Sequence, residues 1–214
     1  MHGHKGYAFA AAEPIPPGAK SQHAPLRLDK QAPDPQNQPA ARDFLSMPLF
    51  TIGISHHTAP IEIRERVAIP RSEYAARVEQ LRALPGVEEV LILGTCNRTE
   101  IYCLSSRAGK QTVLDWIHRS NGIPAGELDQ HFYSYEGEDA ARHLIRVASG
   151  LDSLVLGETQ ILGQLKEAWQ QAHDAGSLGT VLDRLFQHTF ASAKSIRTNS
   201  GISEHPVSVA YTAV

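Results

Sequence analysis

Apolar residues recur along the chain from Leu49 onward with two spacings, one typical of strands and the other of helices. Short apolar or alternating runs predict four strands, at 49–55, 87–93, 100–104 and 132–135. Helical spacing, Pro and Gly signals predict three helices, at 61–67, 72–84 and around 113–117. The second helix would bury Ala75, Val78, Leu81 and Leu84. The order β-α-β-β-α-β predicts an α+β fold with ferredoxin-like topology, in which two helices cover an antiparallel sheet.

The rest of the chain is predicted to be helical. Three amphipathic stripes should each form core, running from Ala140 to Leu151, from Ile161 to Ala172 and from Leu182 to Ile196. The last is the longest, so we expect the ferredoxin-like domain to be followed by a helical segment and a long connecting helix. The expected division is an extension at 1–46, a ferredoxin-like α/β domain at 47–150, its helical part with the linker helix at 151–205, and the start of a truncated domain at 206–214.

Composition narrows the class of protein. No apolar run approaches the ~20 residues needed to span a bilayer, and the first residues do not resemble a secretory signal. We therefore expect a cytoplasmic protein without a membrane segment. Residues 1–46 are rich in proline and alanine and lack a core-forming pattern, which predicts disorder. The formal net charge of −3 is not the basic footprint of a typical nucleic-acid binder.

The turn Gly94–Glu100, between the second and third predicted strands, gathers reactive side chains. A thiolate at Cys96 would be a strong nucleophile, and a neighbouring cation such as Arg98 would stabilise it. Arg98 could instead hold a carboxylate with its bidentate fork, and Glu100 could pair with an ammonium. Both charges together would suit a zwitterionic amino acid. The alternative is an exposed polar hairpin whose cysteine is incidental.

Two other reactive side chains lie on predicted apolar faces. Cys103 shares a strand face with Ile101, so we expect it to be a small buried residue. His143 flanks the stripe that contains Leu144, where a histidine is ordinarily packed or solvated. Neither position indicates chemistry by itself.

Three ordered segments resemble the glutamyl-tRNA reductase family. Residues 95–102, TCNRTEIY, resemble the active-site signature of that family. Residues 53–60, GISHHTAP, resemble its opening segment, and residues 146–164, RVASGLDSLVLGETQILGQ, resemble one of its long blocks. Because the three segments are separate and in the family's order, the resemblance covers most of the chain after Met47.

The resemblance implies roles for individual residues. Cys96 would be the nucleophile, and His143 matches a histidine that matters for activity. Thr95, Asn97 and Arg98 would line the glutamyl site, and Glu100 would support it. Further substrate contacts would come from Ser153, Glu158, Thr159, Gln160 and Gln164, although Thr159 stands where some relatives have proline.

The implied reaction is the NADPH-dependent reduction of glutamyl-tRNA(Glu) to glutamate-1-semialdehyde, the first step of tetrapyrrole (porphyrin, haem) biosynthesis by the C5 route. Cys96 would attack the ester and form a thioester, which accepts hydride more readily than an ester does. His143 is a candidate to protonate the departing ribose oxygen or to orient that end of the substrate.

The cofactor and partners also follow from the resemblance. No Gly-x-Gly-x-x-Gly phosphate cradle occurs in the chain, and the family carries its NADPH domain and dimerisation region later in the sequence. We therefore expect residues 206–214 to begin the NADPH domain and the chain to be a fragment with esterase activity at most. The expected partners are glutamyl-tRNA(Glu), a second copy in a full-length homodimer, and glutamate-1-semialdehyde aminotransferase.

The sequence is also compatible with two functions that are not enzymatic. One is a module that binds glutamyl-tRNA or a protein partner without catalysis, and the other is a ferredoxin-like regulatory domain that binds a free amino acid. Rapid alkylation of Cys96 by iodoacetamide would favour the enzyme, and preferential binding of free glutamate would favour the regulatory domain.

Overall fold

A computed structural model describes residues 48–200, and its four strands form one antiparallel sheet. The strands are β1 (Leu49–Ser55), β2 (Val87–Gly94), β3 (Arg98–Ser105) and β4 (Tyr133–Glu136). They lie in the order β2-β3-β1-β4. This order confirms the α+β class and the ferredoxin-like topology. The expected disorder of 1–46 and the expected domain start at 206–214 lie outside the described residues.

Seven helices accompany the sheet in this part of the chain. They are α1 (Ile61–Val67), α2 (Tyr74–Arg82), α3 (Arg107–Asn121), the short α4 (Ala125–Leu128), α5 (Gly137–Ala148), α6 (Gln160–Asp174) and the long α7 (Thr180–Ser200). Helix α3 begins where the hydroxyl of Ser106 accepts a hydrogen bond from the Gly109 N–H at 3.2 Å, and it ends at Gly122, whose φ of 60° suits glycine. Within residues 48–200, no helix is long and apolar enough to cross a membrane.

The sheet has an apolar core on each face, because successive side chains of a strand point in opposite directions. Along β2, Val90 and Ile92 pack with α1 to α4 in one core. Their neighbours Leu91 and Leu93 pack with α5, α6 and α7 in the other. The helices that follow the ferredoxin-like unit therefore belong to the same packed body as its sheet.

The same alternation places polar residues of β3 in the layer between the sheet and the later helices. Arg98, Glu100 and Tyr102 are each two residues apart and share that face, and Tyr102 belongs to its core. Gly53 of β1 pairs with Glu100, and a Cβ there would come within 2.7 Å of the Glu100 Cγ. A glycine is therefore needed where the Glu100 side chain crosses β1.

Two details of the predicted helices are wrong. Ala75 is exposed and Tyr74 is buried in its place, so the buried side of α2 starts one residue earlier than predicted. Helix α5 ends at Ala148, and Leu151 lies beyond it with 39% of its surface exposed. The chain turns at Gly150, whose φ is 77°, so the helical stripe cannot continue to Leu151.

Candidate active site

Cys96 lies at the exposed tip of the turn between β2 and β3. The hydroxyl of Thr95 accepts hydrogen bonds from the N–H groups of Asn97 and Arg98, both at 3.1 Å. The Thr95 N–H donates in turn to the carbonyl of Arg98 at 2.9 Å. The turn is therefore closed by its own backbone and one side chain, and the thiol is left facing outward.

A second set of contacts holds this turn from the side of α1. The Nη1 of Arg64 donates to the carbonyl of Cys96 at 2.8 Å and to the Oδ1 of Asn97 at 3.3 Å. The N–H of His56 donates to the carbonyl of Asn97 at 2.9 Å. Burial lowers the pKa of His56 below its ordinary value, and the neighbouring His57 and Arg98 lower it further. The turn that carries Cys96 thus has a fixed position relative to β1 and α1.

Cys96 opens onto a small polar cleft of about 250 Å³. One wall is the turn itself, and the other comes from the segment that leads into α6. The lining residues are Thr95, Cys96, Asn97, Arg98, Ser153, Glu158, Ile161 and Gln164. Arg197 of α7 fixes the second wall, because its guanidinium donates to the carbonyls of Gly157 and Glu158 at 3.2 Å each.

Arg98 forms the back of the cleft and joins two carboxylates. Its Nη1 lies 2.8 Å from Glu100 and its Nη2 lies 3.0 Å from Asp152, while only 2% of its side chain is exposed. Burial opposes the positive charge, but Glu100 and then Tyr133 and Asp152 outweigh it and raise the pKa of Arg98 above its ordinary value. The guanidinium is therefore a permanent charge at this position.

Glu100 is fully buried beneath the cleft and accepts from four different side chains. The donors are Arg98 at 2.8 Å, His143 at 2.8 Å, Tyr102 at 2.5 Å and Tyr133. Burial alone would raise the pKa of Glu100, but the hydrogen bond from His143 and the charge of Arg98 outweigh it and lower the pKa to about 2. An ionised carboxylate accordingly organises the interior of the site.

His143 is tied to this carboxylate rather than to the cleft. Its Nε2 meets the Glu100 oxygen that also accepts from Arg98, so the ionised carboxylate favours the tautomer with a proton on Nε2. Its ring stacks on Tyr135 with centroids 4.7 Å apart and is 7% exposed. His143 does not line the Cys96 cleft. It contacts Glu100, and Glu100 pairs with Arg98 at the back of that cleft.

Comparison with known proteins identifies the family of this arrangement. Residues 52–200 match the family model described as "Glutamyl-tRNAGlu reductase, N-terminal domain". The chain belongs to the glutamyl-tRNA reductase family.

The glutamyl-tRNA reductase of Chromohalobacter salexigens is 55% identical over 168 residues, which are 78% of this chain and 40% of that protein. The enzyme of the same name from Hahella chejuensis is 52% identical over 169 residues, with the same coverage. Among solved structures, the glutamyl-tRNA reductase from Methanopyrus kandleri matches with a TM-score of 0.63 and 32% identity, over 75% of this chain and 37% of that one. The chain thus spans about 40% of the length of these curated relatives.

The structure brings most of the site residues expected from the glutamyl-tRNA reductase resemblance to one place, and separates the others. Thr95, Cys96, Asn97, Arg98, Ser153, Glu158 and Gln164 line one cleft. Thr159 and Gln160 are exposed at the start of α6 and do not line it. The expectation that Glu100 pairs with a substrate ammonium is wrong, because Glu100 is buried and its oxygens already accept hydrogen bonds from four protein side chains.

The sequence did not point to four residues of this candidate site, namely Arg64, Tyr102, Tyr133 and Asp152. Asp152 and Tyr102 carried a signal, since each stands inside a segment that resembles the family, and Tyr102 alternates with Glu100. Arg64 and Tyr133 carried none, because they reach the site from α1 and β4, which are remote in sequence from Cys96. Contacts of this kind exist only once the sheet has formed.

Proposed function

We propose that this chain performs the acyl-transfer part of the NADPH-dependent reduction of glutamyl-tRNA(Glu) to glutamate-1-semialdehyde, in tetrapyrrole biosynthesis. The observation that carries the proposal is the exposed thiol of Cys96 on a turn held by Thr95 and Arg64, facing a polar cleft. A nucleophile needs this combination of access and fixed position. Family membership supports the same substrate, which the names of the relatives state for those proteins.

The acyl-transfer step follows from the chemistry of a thiolate and an ester. The sulfur of Cys96 attacks the α-carbonyl of the glutamyl group and forms a carbon–sulfur bond. The bond from that carbon to the ribose oxygen then breaks, and the oxygen leaves with the electron pair and takes up a proton from water. His143 would act by positioning Glu100, which pairs with Arg98 at the back of the cleft. The products are a glutamyl thioester on Cys96 and free tRNA.

The charges around the cleft suit a bound glutamyl group. Arg98 is the cation at the back of the cleft, and Glu100 and Asp152 already pair with it. The side-chain carboxylate of the substrate would therefore replace Asp152, the more exposed of the two, on the guanidinium. Glu158 is the one carboxylate among the cleft-lining residues, and it would pair with the α-ammonium. Ser153, Asn97 and Gln164 add neutral hydrogen-bonding groups. Discrimination for glutamate is proposed to arise from this pair of opposite charges.

Residues 48–200 do not fit NADPH. Their sheet is antiparallel throughout and contains no parallel strand–helix–strand unit with a glycine-rich turn, the usual cradle for the pyrophosphate. When bound, NADPH supplies the hydride that reduces the thioester to the aldehyde.

The test is to mix the purified chain with glutamyl-tRNA, quench with acid, and look for a glutamyl adduct by mass spectrometry. We expect an adduct on Cys96, lost in Cys96→Ser and retained in Cys103→Ser. Cys103 is a suitable control because it is fully buried and burial raises its pKa well above the ordinary value of a thiol. Iodoacetamide should likewise modify Cys96 first.

The same mixture with and without NADPH separates acyl transfer from reduction. We expect slow release of glutamate and tRNA at a rate that NADPH does not change. Binding of glutamyl-tRNA without an adduct would contradict the proposal and leave a non-catalytic binding module. Coupled NADPH oxidation and aldehyde release by this chain would contradict the absence of a hydride step.

Two partners and a location are proposed on family grounds. We propose a homodimer in the full-length enzyme, and contact with glutamate-1-semialdehyde aminotransferase, which would consume a reactive aldehyde as it is released. Both would act in the cytoplasm. Co-purification of the aminotransferase with the full-length enzyme, and the mass of that enzyme in solution, test the two partners.

A further inference from the structure

A second cavity adjoins the cleft that holds Cys96, and we call it the β2-edge cavity. It is larger than the cleft and is open to solvent, and it lies beside the edge strand β2 between α2 and α6. Gln164 lines both spaces, and Gly94, two residues before Cys96, lines the β2-edge cavity. Another space of about 730 Å³, lined by Trp116 and Ile52, shares no residue with the cleft.

The inner part of the β2-edge cavity is apolar and rigid. Tyr74, Ile92 and Ala168 line it and are each less than a tenth exposed. The hydroxyl of Tyr74 donates to the carbonyl of Ala168 at 3.2 Å and accepts from the N–H of Ile92 at 3.5 Å. The tyrosine therefore joins α2, β2 and α6 and cannot swing out of the wall.

The outer part of the β2-edge cavity is polar. Arg71 and Glu167 form an ion pair of 3.7 Å there, with 78% and 62% of their side chains exposed. Such an exposed pair contributes little stability, so Arg71 is free to change partner when an anion arrives. The amides of Gln164 and Gln171 supply both donors and acceptors.

These features match the chemistry of the group that leaves during acyl transfer. If the proposed function holds, the carbonyl attacked by Cys96 is joined through one oxygen to a ribose that carries a base and a phosphate. The cleft is too small to hold that nucleoside as well as the glutamyl group, so the nucleoside must occupy a space that opens from it. Apolar walls suit the faces of a base, amides suit its edges, and an arginine suits the phosphate.

We propose that the β2-edge cavity binds the 3′-terminal nucleotide of glutamyl-tRNA, with Gln164 and Gln171 on the base edge and Arg71 on the phosphate. This proposal rests on the proposed function and names a subsite of it. Gln164, which lines both spaces, joins the cavity to the cleft, and Gly94 leaves room on the cavity side because a Cβ there would meet only the carbonyl of Ile69 at 3.8 Å.

The test compares two acyl donors on the 214-residue chain. One is glutamyl-tRNA, and the other is the phenyl thioester of the glutamate α-carboxyl group, which lacks the nucleotide and transfers its acyl group to Cys96 with release of thiophenol. The quantity measured is the ratio of the two rates of adduct formation. We expect Arg71→Ala and Gln171→Ala each to lower this ratio roughly tenfold, since each removes a hydrogen bond made only by the tRNA ester.

Arg142→Ala is the matched control. Arg142 is also an exposed arginine in an ion pair, with Glu138 at 2.6 Å, but it lies on α5 away from the cavity. Its ratio should equal that of the unchanged chain. A ratio that neither Arg71→Ala nor Gln171→Ala lowers would overturn the subsite. Adduct formation by Cys96→Ser from either donor would instead overturn the proposed function, so the two failures are distinguishable.

Discussion

Arg98 bridges two carboxylates through separate nitrogens, Nη1 to Glu100 and Nη2 to Asp152. A lysine keeps the charge but has one nitrogen, so it cannot hold both partners in the same geometry. We expect Arg98→Lys to slow adduct formation on Cys96 at least roughly tenfold, with loss of a charge-assisted hydrogen bond as the cause. The measurement is the initial rate with glutamyl-tRNA, and Arg142→Lys is the control. An unchanged rate would show that the bridge is not needed.

Glu100 should make stability depend on pH in acid. Its pKa is lowered from 4.5 to about 2, so the ionised carboxylate stabilises the fold fully above pH 4.5 and this contribution is lost as the pH falls towards 2. The shift corresponds to about 3 kcal/mol. We expect the free energy of unfolding of Glu100→Gln to fall less steeply between pH 5 and pH 2 than that of the unchanged chain. Glu138→Gln, at an exposed ion pair, should keep the original slope; equal slopes in all three proteins would contradict the assignment.

The residues of β3 show how much of the candidate site can be predicted from the sequence. Alternation along β3 places Arg98, Glu100 and Tyr102 on one face, and the resemblance names two of them. Neither the alternation nor the resemblance tells which face of the sheet the helices cover at Glu100. Glu100 is buried because α5 brings His143 and β4 brings Tyr133 over it, and those contacts depend on packing of elements far apart in the chain. From the sequence alone, a buried carboxylate of this kind is mistaken for a residue that binds the substrate.

Helix α7 begins on a carboxylate that belongs to the sheet. Glu89 of β2 is 7% exposed, and its two oxygens accept from the N–H groups of Val181 and Leu182 at 3.1 and 2.7 Å. These two hydrogen bonds satisfy N–H donors that the first turn of a helix otherwise leaves unpaired. The carboxylate also places negative charge at the positive end of the helix dipole. We expect Glu89→Ala to lower the free energy of unfolding by about 1–2 kcal/mol.

Chemical denaturation measures this loss, and Glu88→Ala is the control. Glu88 is the preceding residue of the same strand and is exposed, so it shares the strand context without the helix contact. Equal stability of the two variants would mean that Glu89 does not cap α7.

The elements themselves were predictable to different degrees. The strands were found because their apolar runs are short and bounded by turns, and β1 and α1 have the predicted limits. The stripe of α2 was misplaced because Ala75 and Tyr74 both fit a helical spacing, and only the packing of Tyr74 against Ala168 decides between them. The role of Glu89 was invisible, since a glutamate in a strand pattern looks solvated.

The candidate active site lies between two layers of the described residues, the sheet and the later helices. One side of the cleft comes from the β2–β3 turn of the ferredoxin-like unit, and the other from the segment 153–164 that follows α5. The sheet carries one core on each face, and both walls of the cleft belong to the face that α6 and α7 cover, since Arg98 shares that face with Tyr102. Separation of the later helices from the ferredoxin-like unit would therefore remove half of the cleft.

Deletion of residues 1–46 should leave this body intact. Among the described residues 48–200, those between Phe50 and Ala193 form two complete cores, and Thr95, His56 and Arg64 hold the Cys96 turn. The segment 1–46 also lacks any core-forming pattern. We expect the shortened chain to melt within about 1 °C of the full chain, because a segment without a core-forming pattern contributes little apolar burial to stability. Alkylation of Cys96 by iodoacetamide, followed with Cys103→Ser as background, should proceed at the same rate. A fall of several degrees in Tm, or a changed alkylation rate, would mean that the first 46 residues contact the folded body.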